Sequence, residues 1–135
     1  MLTSYHRAVE GVDYTGYVQD LDELYAGVRE VVCPILTGGG TRFKIMEAAA
    51  SGRPIISTHI GAEGIALQPD VEILLADSPV QLAQACLRLL EDHSLAAQIG
   101  LAAQVAIERL YSRQRIVASL RDTLVKACEK TLPIQ

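Results

Sequence analysis

Three consecutive glycines, Gly38-Gly39-Gly40, join two apolar runs of different period, and this junction constrains the fold more than any other segment. The run before it, Val31-Val32-Cys33-Pro34-Ile35-Leu36, has the length and composition of a strand. The run after it, Arg42-Phe43-Lys44-Ile45-Met46-Glu47-Ala48 and on to Gly52, has helical spacing. A glycine-rich strand-to-helix turn leaves backbone N–H groups unpaired at the positive end of a helix dipole, where anions bind well. Arg42 and Lys44 fall in the first turn of that helix, where the same dipole disfavours cations. Two cations placed against the dipole imply a negative partner, and a phosphate fits best.

The rest of the chain places this unit in an α/β fold. Val12–Val18 reads as a short strand, and Asp20 caps a helix to about Gly27 with Leu21, Leu24, Tyr25 and Val28 on its apolar face. Pro54–Thr58 and Val71–Ala76 read as further strands, separated by the Gly-containing loop His59–Gly64. Asp77 or Ser78 caps a helix that starts near Pro79 and carries Leu82, Ala85, Cys86, Leu89 and Leu90 at helical period. Two helices follow, about 93–110 and 112–131, the second with Ile116, Leu120, Leu124 and Ala127 or Cys128 in register. Short apolar strands separated by helices predict a parallel sheet with helices on both faces, in a single domain spanning residues 1–135.

Composition narrows the partners. The net charge is −4 with no basic run, which argues against nucleic-acid binding. No apolar run approaches a membrane span, and no charged-then-apolar leader opens the sequence. Half the residues are hydrophobic but only 4 % are aromatic, so aliphatic side chains must build the core. Cys33, Cys86 and Cys128 are odd in number and lack metal-ligand spacing, as expected of buried thiols in a reducing cytoplasm.

On a helix beginning at Thr41, positions 40, 44, 47 and 51 form one polar stripe of Gly, Lys, Glu and Ser on an otherwise apolar cylinder. Such a stripe aims at a cleft, and ligands of open α/β sheets bind beyond the carboxyl ends of the strands. In this reading the N–H groups of Gly39, Gly40 and Thr41 cradle a diphosphate, Lys44 neutralises it, and Glu47 accepts both hydroxyls of a ribose. The plainer alternative is that the glycines serve geometry alone and that Lys44 and Glu47 form a surface ion pair. Neither the Walker A spacing nor the Gly-x-Gly-x-x-Gly dinucleotide fingerprint is present.

An ordered set of segments resembles the donor-binding half of group 1 glycosyltransferases, the family 4-like retaining enzymes of GT-B fold. It comprises Gly16-Tyr17-Val18 with Asp20-Leu21, then Pro34, then Gly38 to Ala48, Gly52-Arg53-Pro54-Ile55-Ile56-Ser57-Thr58, and Gly61-Ala62-Glu63-Gly64. Tyr111-Ser112 before the last helix also resembles the family's closing helix. The resemblance implies retaining transfer of a sugar from a nucleoside-diphosphate sugar to an acceptor hydroxyl, with no metal or other cofactor required. It gives Glu47 the second of the family's two signature glutamates, the one that holds the ribose. The first falls on Gly39, a departure that leaves diphosphate contacts as the role of that position.

The resemblance also implies that residues 1–135 are a partial, Rossmann-like GT-B donor-binding domain truncated on its N-terminal side. The acceptor-binding half is then expected from another domain or chain, and catalysis by this chain alone is expected to be incomplete. With the usual strand order, Val12–Val18 becomes an outer strand and Val31–Leu36 shows an unpaired edge. That edge predicts a homo-oligomer. In the Gly-containing loop, His59, Gly61 and Glu63 are possible donor contacts. For His59 the alternative is a solvated loop histidine, and for Glu63 a cap of the turn at Gly64. The competing function is a non-catalytic nucleotide-binding or interaction module derived from the same fold.

Overall fold

The protein is described by a computed structural model covering residues 9–40 and 42–131, with side chains to Glu129. Three parallel strands lie in the order β1 (Val31–Cys33), β2 (Ile55–Ser57), β3 (Leu74–Leu75). Val31 is opposite Ile55, and Ile56 opposite Leu74. Successive strand side chains point to opposite faces, and β2 shows what this does. Ile55 enters a core with Tyr25, Cys33, Ile45, Ala48, Ala49, Ala103 and Ile107. Ile56 enters a second core with Leu74, Ala76, Leu89 and Ile99. Both isoleucines are fully buried, each contributing about 1.5–3 kcal/mol through apolar area removed from water.

Helices α1 (Leu21–Gly27) and α2 (Phe43–Ala50) supply the first core, and α4 (Pro79–Glu91) the second. Helix α5 (His93–Tyr111) closes both, with Ile99 on one side and Ala103, Ala106 and Ile107 on the other. The expected α/β layers are therefore present. The helix starts also follow the sequence. Asp20 Oδ1 accepts from the N–H groups of Asp22 (2.9 Å) and Glu23 (3.2 Å). Ser78, not Asp77, caps α4, in a reciprocal box with Gln81.

Four expectations need correction. Residues 12–18 form no strand: Gly16 takes φ +65°, which turns the chain out of the extended region, and Tyr17 is 91 % exposed. The segment 59–64 is not all loop, because Thr58 caps a short helix, α3 (His59–Ala62). Leu21 and Leu24 stay exposed, so Tyr25 is the buried residue of α1. The last helix, α6 (Arg113–Thr131), forms as expected, yet Ile116, Leu120 and Leu124 face solvent. Cys128 on that helix is exposed as well, whereas Cys33 is buried and Cys86 half-buried.

Candidate functional site

The carboxyl ends of β1 and β2 meet at a polar seam. Ser57 Oγ donates to the Cys33 carbonyl at 3.1 Å, and Thr58 Oγ1 donates to the Ile35 carbonyl. These bonds fix the exit of β1 against β2, and the glycine turn leaves from that fixed point. Gly38 and Gly40 hold φ +113° and +110°, a backbone region that side chains disfavour. A methyl group on Gly38, Gly39 or Gly40 would meet nothing within 4 Å, so the turn borders open space. The Gly39 and Gly40 N–H groups make no hydrogen bond among the described residues. Thr41, the third member of the expected cradle, lies outside the described residues.

Arg42 takes a role the sequence did not show. It is the N-cap residue of α2 rather than a first-turn residue, and its guanidinium turns back into the loop. It donates to the carbonyls of Gly38 (2.8 Å), Gly39 (3.3 Å) and Ile60 (3.2 Å). The same side chain therefore shapes the glycine turn and ties it to α3. Carbonyls already satisfy much of this cation, leaving Lys44 as the exposed cation of the motif. Its ammonium lies close enough to Cys33 to pull that thiol's pKa down, although burial wins and pushes it up.

No ion pair joins Lys44 to Glu47. Instead Glu47 Oε2 accepts from the Tyr25 hydroxyl at 3.3 Å, half-buried between α1 and α2. Burial and the Glu47 carboxylate both raise the Tyr25 pKa, burial more, so the phenol stays a donor.

Two hollows flank the start of α2. One of about 350 Å³ is lined by Val32, Cys33, Pro34, Ile35, Phe43 and Lys44. The other, about 470 Å³, lies between Gly40, Met46, Glu63, Gly64, Ile65 and Tyr111. Glu63 thus shares a cleft with the glycine turn. The Tyr111 hydroxyl accepts from the Ala66 N–H at 3.0 Å and holds the far wall of that cleft. A larger hollow beside Glu91, Asp92 and His93 lies at the far end of α4, away from this seam.

The other two residues of the second loop are placed differently. Gly61 is buried, and its N–H donates to Thr58 Oγ1 at 2.8 Å. A Cβ there would approach Ser57 Oγ to 2.4 Å, so close packing requires the glycine. His59 turns toward the end of β3. Its backbone N–H donates to Asp77 Oδ1 (2.9 Å) and its Nδ1 lies 2.7 Å from Asp77 Oδ2. These contacts, the backbone one foremost, hold the Asp77 carboxyl below its usual range. The partners of Tyr25, Asp77 and Tyr111 are what sequence reasoning missed, because each meets its partner from another element. In the sequence Tyr25 stands out only by apolar spacing, Asp77 only as a candidate cap and Tyr111 only through the resemblance of the closing helix.

A parallel three-stranded sheet with helices on both faces and open glycine turns at its carboxyl edge is a Rossmann-like architecture. The chain is similar to the C-terminal domain of a glycosyl transferase group 1 family protein from Francisella tularensis: TM-score 0.64, 24% identity, covering 73% of this chain and 52% of that one. It is similar to a sucrose-phosphate synthase from Thermosynechococcus elongatus with TM-score 0.65 and 24% identity, covering 77% of this chain and 27% of that one. At this identity the two structures establish the fold alone. No curated protein matches the chain significantly. Residues 2–92 match the family described as glycosyl transferases group 1, and the chain belongs to that family. It spans about half of the first of these solved structures and about a quarter of the second.

Proposed function

We propose that this chain is the donor-binding domain of a transferase that takes a sugar from a nucleoside-diphosphate sugar to an acceptor hydroxyl with retention. The observation carrying this reading is the open glycine turn, whose Gly39 and Gly40 N–H groups have no partner among the described residues, with Lys44 and Glu47 following on α2. The N–H groups and Lys44 meet the diphosphate, and Glu47 accepts from the ribose hydroxyls. Glu63, across the cleft from Gly40, is the second-loop residue best placed to reach the sugar side. The motif calls for no cofactor. With Gly39 in place of a carboxylate, transfer depends on groups from an acceptor-binding domain or chain. The same glycine favours, as a second reading, a non-catalytic module that binds nucleotide without turnover.

Calorimetric titration of the chain with UDP, GDP and TDP tests the reading, with folding checked by circular dichroism. Saturable binding of one of them is expected. Glu47→Ala should weaken it by about 1–3 kcal/mol, the worth of hydrogen bonds to a charged acceptor. Lys44→Ala should weaken the diphosphate more than the bare nucleoside. No binding by the folded chain, or equal losses for both ligands in Lys44→Ala, would overturn the assignment. Sugar transfer assayed with the same nucleotide sugars separates an enzyme from a binding module.

A further inference from the structure

We infer that Tyr25 is the positioning residue for Glu47, and that its hydroxyl makes the site selective for ligands carrying ribose hydroxyls. The inference rests on the proposed role of Glu47 and adds a residue from outside the glycine motif.

A tyrosine in an aliphatic core needs a partner for its hydroxyl, because an unpaired buried donor is costly. Tyr25 is 8 % exposed, packed in the core that holds Ile45 and Ala48 of α2. Its oxygen emerges at Glu47 Oε2, 3.3 Å away. The helix that carries Tyr25 is itself anchored at both ends. Asp20 caps its start, and Arg53 Nη2 donates to the Ala26 carbonyl at 3.0 Å near its end. The phenol is therefore a fixed donor on a fixed helix. Burial and the neighbouring carboxylate both keep it protonated, so the bond runs in one direction only.

No other described residue bonds the Glu47 side chain. A free glutamate on a helix surface samples several rotamers, and a ligand must order it at an entropic cost. The bond from Tyr25 orders it beforehand. It occupies one site on Oε2 and leaves Oε1 and a second lone pair of Oε2 for incoming donors, within the roughly four acceptor sites of a carboxylate. Two vicinal hydroxyls are the donor pair that a carboxylate with these sites open accepts best. A ligand without them gains nothing from the arrangement.

The test is a calorimetric comparison of UDP and GDP with their 2′,3′-dideoxy counterparts, on wild type, Tyr25→Phe, Glu47→Ala and the double variant. Phenylalanine removes one oxygen and conserves the packed volume, so the core is retained; circular dichroism and melting check this. Tyr25→Phe is expected to bind the ribonucleotide about three- to tenfold more weakly, the worth of one hydrogen bond, and the dideoxy analogue unchanged. The double variant is expected to bind no more weakly than Glu47→Ala alone, because both changes remove one unit. Tyr25→Phe weakening both ligands equally would mark a merely structural residue and overturn the inference. So would an unchanged Tyr25→Phe beside a ribose-selective loss in Glu47→Ala, while leaving the role of Glu47 intact. A Glu47→Ala variant that binds like wild type, or a folded wild type that binds neither ribonucleotide, would remove the role of Glu47 and this inference with it.

Discussion

Arg42 and His59 show how a residue's partners can differ from those its residue type and position suggest. Arg42 stands where the helix dipole disfavours a cation, yet three carbonyls receive its guanidinium, two of them from the turn it follows. Its charge is spent on loop shape, and Lys44 remains as the cation free to meet a ligand. His59 sits in a loop-like sequence but pairs with Asp77 across the ends of β2 and β3. Because the folded Asp77 carboxyl sits below its usual range, its contribution to stability is present at neutral pH. That contribution is lost as the pH falls through the lowered value. Asp77→Asn should therefore be less stable than wild type at neutral pH, with the gap closing in acid, measured by thermal melts across a pH series. A gap that does not change with pH would mean that the charge of Asp77 is not what holds His59.

At the scale of elements, contact between helices and turns decides the shape of the site's foundation. Gly100 of α5 lies against the turn before β2, where an added Cβ would come within 2.3 Å of the Gly52 carbonyl oxygen. Gln104, one turn later, donates to the Ala50 carbonyl at 2.9 Å and secures the end of α2. The same helix that seals both cores thus holds the far end of the helix carrying Lys44 and Glu47. Gly100→Ala should destabilise the fold by about 1–3 kcal/mol through this overlap, even though alanine favours a helix by about 1 kcal/mol over glycine. Denaturant unfolding midpoints give the balance, and a stabilised variant would show that the turn yields cheaply. Cys86 of α4 packs against the second core, and burial together with Glu30 pushes its thiol up to about 11, which disfavours the nucleophilic thiolate.

At the scale of the whole molecule, apolar side chains stay exposed beside β1 and along α6. Strand β1 pairs on one side only among the described residues, and Leu36 and Phe43 beside it are more than 60 % exposed. Leu120 and Leu124 continue the theme on α6. Unpaired edges recruit strands, so self-association is expected, with sedimentation showing a dimer or larger species that dissociates on dilution. A monomer at every concentration would count against it. Much of this architecture was legible in the sequence. The helices from Asp20 onward other than α3, the sites of the three observed strands and the glycine turn follow from local signals: caps, periodicity and backbone freedom. The ordered motifs pointed to the family as well. The strand expected at residues 12–18 was a miss of the opposite kind. Its apolar and aromatic residues suit a sheet, but a strand exists only with a partner, and pairing is not a local property. The same holds for the helix faces. Period alone made Leu120 and Leu24 look like core, while burial was decided by what packs opposite. The sequence by itself determined the order and kind of the elements, apart from the expected strand at 12–18 and the short helix α3, and the chemistry gathered at residues 38–47, because these depend on neighbours within one turn or one loop. Only the tertiary structure decided that Tyr25 serves Glu47, that Arg42 reaches Ile60 of α3 and that His59 serves Asp77, because each of these bonds spans elements that meet only once both cores have closed.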